Sequence, residues 1–132
     1  MATKTEYTGK WKISKFDYGF ARWYSWKYLE WLDEYNSLKD SVRSASFGEI
    51  HGSKIGKPTE ELATRRAEIR NKMLKVERAA YDAGGEIADY LLKYVIDESM
   101  TYERLEKMGL PCGRTYFYDK RRKYYYLLAK EI

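Results

Sequence analysis

Two side chains in this 132-residue chain have the chemistry of a nucleophile and a general base: Cys112 and His51, the one cysteine and the one histidine. Cys112 is followed by Gly113 and Arg114, which invites a phosphatase-like reading. That chemistry wants an arginine six positions after the cysteine, and Tyr118 stands there. A thiol near a helix start can have a lowered pKa, but no base lies close in sequence. His51 falls in a Gly/Ser-rich stretch and reads as a surface residue. A zinc site with one Cys and one His would need several carboxylates. Asp82, Glu86 and Asp89 have the spacing of one helix side, yet Gly84–Gly85 interrupts them. No glycine-rich phosphate loop followed by Lys-Ser/Thr is present. These residue types predict no enzyme, no metal, no cofactor and no small-molecule substrate.

Positive charge is the stronger signal. Lys120, Arg121, Arg122 and Lys123 form an unbroken basic run amid tyrosines. Such a run suits phosphates, which position a protein on DNA without reading sequence. The net charge of +5 is unevenly spread: +4 over residues 1–27, −3 over 28–100 and +4 over 101–132. Basic ends around an acidic middle point to an anionic partner such as nucleic acid.

The elements that must position this run follow from periodicity. Residues 1–16 mix Thr, Lys and single aromatics and read as an N-terminal arm. From about Asp17, the residues Phe20, Tyr24, Tyr28, Trp31, Tyr35, Leu38 and Val42 step by three or four, the spacing of one helix face. Trp23 and Trp26 lie outside that stripe. Residues 44–58, with Gly48, Gly52, Gly56 and several serines, read as a loop. Pro58 suits the first turn of a second helix, about Thr59–Asp82. There Leu62, Ile69, Val76 and Ala83 repeat every seven residues, with Arg66, Met73 and Ala80 interleaved. This narrow seam is of coiled-coil type. It can pack against the first helix or serve a homodimer. Gly84–Gly85 stops the helix, and a third follows over about Glu86–Asp97. The expected fold is all-α: an arm (1–16), a long antiparallel helical hairpin (17–83) and a C-terminal helix-turn-helix region (84–132).

The helix-turn-helix pattern is explicit at Thr101–Leu128. Thr101 is the expected N-cap of a short helix, Tyr102–Met108. Gly109, Leu110 and Pro111 form the turn. A longer helix, about 112–130, then carries the core stripe Phe117, Tyr124 and Leu128. On a helical wheel Thr115, Tyr118, Asp119, Arg122 and Tyr126 point away from that stripe. In this motif the N-terminal residues of the second helix reach base edges in the major groove. Arg114, Thr115 and Tyr118 are the candidate base-reading residues, since Arg114 can donate two hydrogen bonds to a guanine edge. Lys120, Arg121, Arg122 and Lys123 are the candidate phosphate contacts. Arg121 lies near the core edge of the wheel, where a long side chain can instead lie over its own domain.

The segment Tyr102–Ile132, YERLEKMGLPCGRTYFYDKRRKYYYLLAKEI, resembles the C-terminal part of phage transcriptional regulators of the RinA/ArpU-like type. The shared features are a helix ending in Met-Gly, a Leu-Pro turn, and Tyr-Phe-Tyr before Arg-Arg-Lys. The layout upstream is similar over about residues 28–130, including the Lys-Pro-Thr helix start. The resemblance implies a phage or prophage regulator of late genes, with a sigma-factor-like helix-turn-helix acting near a promoter. It implies double-stranded DNA and RNA polymerase as partners. Gly109 matches the turn, Arg114, Thr115 and Tyr118 the reading positions, and Arg121 and Arg122 the basic stretch. Pro111 departs from the sigma-like pattern, where Ser is commoner.

Two other readings stay open on residues alone. One is a helical interaction adaptor of phage origin using Trp23, Trp26 and Trp31, since tryptophan is enriched at binding hot spots. The other is a DNA-packaging protein like a small terminase subunit. No stretch has the roughly 18–20 apolar residues of a membrane span, and Met1–Lys15 has no signal-peptide core. The expected location is the cytoplasm of a bacterial host.

Overall fold

The computed structural model describes residues 9–48 and 56–132. Half of the expected arm (residues 1–8) and the middle of the expected Gly/Ser loop (residues 49–55), His51 included, lie outside the described residues. Among the described residues the chain is all-α. A short 3-10 turn, Gly9–Trp11, precedes α1 (Lys15–Gly48), α2 (Gly56–Gly84), α3 (Ala88–Ile96), α4 (Tyr102–Lys107) and α5 (Arg114–Glu131). Among the described residues no helix is long and apolar enough to cross a membrane.

Ser14 starts α1: its Oγ accepts the Asp17 N–H at 3.0 Å. That bond satisfies one of the orphan donors at a helix N-terminus. The aromatic stripe then does what its spacing predicts. Tyr24, Tyr28 and Trp31 are buried, and Tyr35 and Leu38 pack beside them. Phe20, expected on the same face, is 48% exposed. The stripe turns inward one step round the helix, at Ala21 and Ser25, where α5 crosses.

The loop expected at 44–58 is shorter than its composition suggested. Residues 44–48 continue α1 and residues 56–58 begin α2. Alanine favours a helix and serine weakens it only modestly, so the Ser-Ala-Ser run does not end it. The hairpin is antiparallel. Glu34 of α1 pairs with Arg65 of α2, and further along Tyr28 donates to Glu77. The seam of α2 is filled within the chain. Ile69, Met73, Val76, Ala80 and Ala83 are buried with α1, α3 and α5 side chains in one core. Leu62 and Arg66, at the other end of the seam, are half-buried.

Gly85 ends α2 with φ +57°, a conformation that costs other residues more. A 3-10 turn, Gly85–Ile87, leads into α3. Its face of Leu91 and Val95 is fully buried. The final helix, α5, lies across α2, α1 and α3. Tyr124 carries a polar tip into this core, and its hydroxyl bonds Ser25 Oγ at 2.7 Å. Ser25 Oγ in turn donates to the Ala21 carbonyl at 2.8 Å. Burial pushes the Tyr124 phenol well above its ordinary pKa. It stays a neutral hydrogen-bonding group, which is how a buried tyrosine avoids an unsatisfied polar atom.

Candidate nucleic-acid interface

The turn that positions α5 is built as expected. Thr101 Oγ1 accepts the Arg104 N–H at 3.1 Å and caps α4. At the other end the Gly109 N–H reaches the Glu106 carbonyl, and the Leu110 N–H reaches the Leu105 carbonyl, each at 3.0 Å. This pair of bonds is a Schellman motif, and Gly109 takes the left-handed position with φ +106°. Leu105 and Leu110 are buried, so the corner is plugged by apolar side chains. Pro111 is exposed. Tyr102 adds a tie that sequence reasoning missed: its hydroxyl donates to the Cys112 carbonyl at 2.8 Å across the turn. Cys112 is half-buried, and that burial raises its thiol pKa rather than lowering it.

Helix α5 begins after Gly113, and Phe117, Tyr124 and Leu128 are fully buried as the stripe predicts. Tyr125 joins them, 3% exposed, with its ring edge-on to Tyr18 of α1 at 5.2 Å. The candidate site residues then divide. Thr115 and Asp119 are exposed, and Tyr116 is 42% exposed. Arg114 stands at the helix start with more than half its side chain exposed, but it pairs with Glu103 of α4. Its guanidinium also lies 4.6 Å from the Tyr102 ring centre. The pair holds the Glu103 carboxyl below its usual pKa.

Tyr118 corrects the helical wheel. It does not point away from the core but wedges into the α4–α5 corner, its ring 5.6 Å from Phe117 and 6.2 Å from Tyr102. The reason is that α4 flanks the first turns of α5 and widens the covered sector there. A wheel centred on one stripe does not register that second neighbour.

Arg121 is also drawn inward. Its Nη1 donates to the Tyr94 hydroxyl of α3 at 2.8 Å, and its guanidinium stacks 4.6 Å from the Tyr118 ring. It lines a cleft of about 140 Å³ between α1, α3 and α5, together with Arg22, Trp26, Tyr94 and Asp97. Lys120, Arg122 and Lys123 remain half-exposed. Among the described residues none of these three forms an ion pair with a carboxylate. The basic run is thus one inward arginine flanked by three outward cations.

The three tryptophans of α1 have three different fates. Trp31 is buried in the hairpin core. Trp26 is half-buried, with the Arg22 guanidinium 4.9 Å from its ring centre. Trp23 is 52% exposed and stacks on Phe20 at 5.9 Å. Phe16, one turn earlier, is 82% exposed. Phe16, Phe20 and Trp23 make one aromatic ridge on the outside of α1.

Compared with known proteins, the chain matches no family model, no curated protein and no solved structure.

Proposed function

We propose that this chain is a DNA-binding transcriptional regulator of phage or prophage type, working in the cytoplasm of a bacterial host with α5 as its recognition helix. One observation carries the reading. A Schellman turn at Gly109 launches a helix whose outer face shows Thr115, Asp119, Lys120, Arg122 and Lys123, with no carboxylate paired to the three cations among the described residues. Outward cations on the second helix of this motif are the groups suited to reach phosphates. The resemblance of Tyr102–Ile132 to RinA/ArpU-like regulators supports the same reading and suggests late genes as the target and RNA polymerase as a partner.

In this reading the base-reading set is smaller than the full candidate list. Thr115, exposed near the start of α5, is the residue we assign to base edges. Arg114 reads a guanine only after exchanging the Glu103 carboxylate for the base edge. Tyr118, wedged in the corner, serves the fold.

The test is fluorescence-anisotropy binding to duplexes that flank the chain's own gene and to random duplex, across salt. The reading expects one flanking duplex to bind at least about a thousandfold more tightly than random duplex at physiological salt. Weak binding to every duplex, lost as salt rises, would leave only an electrostatic surface.

A second reading rests on the ridge of Phe16, Phe20 and Trp23. Exposed contiguous aromatics mark interaction surfaces. In that reading α1 docks a protein, and substitutions on the ridge abolish docking while leaving DNA binding intact.

A further inference from the structure

The outer face of α5 does not end at Lys123, and its far half is not bare. The 3-10 turn Gly9–Trp11 crosses it. The Trp11 ring packs on Tyr126 with centroids 5.4 Å apart. Three lysines surround these two touching rings. Lys10 Nζ lies 5.2 Å and Lys123 Nζ 5.4 Å from the Trp11 ring centre, and Lys130 Nζ lies 4.3 Å from that of Tyr126. Among the described residues none of the three ammonium groups forms an ion pair with a carboxylate. Ring faces attract each cation, but they do not neutralise it. Three like charges gathered round one pair of rings repel one another, and a shared anion would relieve that repulsion.

Position along the helix identifies the anion. Lys123, Tyr126 and Lys130 lie on the same side of α5 as Asp119, at steps of three and four. Tyr126 is eleven residues beyond Thr115, or about 16 Å along the axis at 1.5 Å per residue. The major groove is roughly 12 Å wide. A helix that puts Thr115 at base edges therefore carries Trp11 and its lysines out over the phosphates that bound the groove. With Trp11 covering Tyr126, this half of the helix cannot enter the groove itself.

We infer that Lys10, Lys123 and Lys130, gathered on the Trp11–Tyr126 ring pair, form a second DNA contact that grips the phosphate backbone beside the groove read by the start of α5. The inference rests on the DNA-binding reading above. It gives the N-terminal turn a role in recognition that the helix-turn-helix pattern does not contain.

The test uses the full chain and a fluorescent random-sequence duplex of 24 base pairs, titrated between 50 and 200 mM salt. The variants are Lys10→Gln/Lys130→Gln and, as a reference inside the basic run, Arg122→Gln. Lys10 and Lys130 are exposed, so far-UV circular dichroism melts should match wild type. Each lost phosphate contact lowers the slope of log K against log salt by about 0.9. The double variant is expected to lose about 1.8 of slope and at least about tenfold in affinity, equally on random and flanking duplexes. Trp11→Phe, which keeps a ring on Tyr126, should retain most of the wild-type slope. Wild-type slope and affinity in the double variant, with loss in Arg122→Gln, would overturn this contact and leave the recognition helix standing. No duplex binding by wild type would overturn both.

Discussion

Helix α5 carries two populations of cations, and their difference is instructive. On the side facing α3 and α4, Arg114 and Arg121 are spent on the protein: one pairs with Glu103, the other bonds Tyr94 and stacks on Tyr118. On the opposite side Lys120, Arg122, Lys123 and Lys130 touch rings or solvent but pair with no carboxylate among the described residues. Both populations come from one continuous sequence, and four of the six are adjacent residues. What separates them is the 100° step of the helix and the neighbours it meets. Arginine suits the inner side, since its planar guanidinium stacks and donates in one plane. Lysine and a lone arginine suit the outer side, where a mobile charge faces solvent.

This division yields predictions. The largest effect belongs to the buried stripe that fixes the helix orientation. Phe117→Ala should cost about 3–5 kcal/mol, seen as a large drop in Tm, and should abolish duplex binding only by unfolding. A variant that stays folded and still fails to bind would assign Phe117 more than a packing role.

Next is the outward set. Lys120→Gln/Arg122→Gln/Lys123→Gln should lower the salt slope for duplex binding by about 2.7 with little change in Tm. A full slope in that variant would erase the contrast between the two sides.

Arg121→Gln should do the reverse. It should lower stability by about 1 kcal/mol through the lost bond to Tyr94, with the salt slope within error of wild type. A slope reduced by a full contact would return Arg121 to the phosphate set.

The smallest effect concerns Glu103. Its carboxyl is held below the usual range by Arg114, so the pair is intact above ordinary carboxylate pKa values and is lost as pH falls through the depressed one. Glu103→Gln should remove that acid-side component from the pH–stability profile. It should also sharpen preference among duplex sequences by releasing Arg114. Unchanged preference would remove Arg114 from base reading.

The pattern was legible where one physical cause dominated. Apolar spacing gave the stripe of Phe117, Tyr124 and Leu128, and the special backbone at Gly109 and the capping oxygen of Thr101 were each set by local chemistry. It was not legible where tyrosine decides by context. Tyr118 and Tyr125 have the same side chain as Tyr116, yet two are covered by α4 and α1 while the third faces out. Trp11 is a single aromatic in a polar arm with no period to announce it, and only tertiary contact with Tyr126 reveals its place. The helical wheel already set Arg121 near the core edge and Arg122 outward, but the partner that holds Arg121, Tyr94 of α3, has no signal in the spacing.

The central claim is that the outer side of α5 meets DNA. Amide chemical-shift mapping of the 15.8 kDa chain during titration with its tightest-binding duplex tests it directly. The account predicts shifts concentrated at Thr115, Asp119, Lys120, Arg122 and Lys123, with Lys10 and Lys130 following and Phe16, Phe20 and Trp23 silent. Shifts confined to the aromatic ridge of α1, or none at saturating duplex, would contradict it.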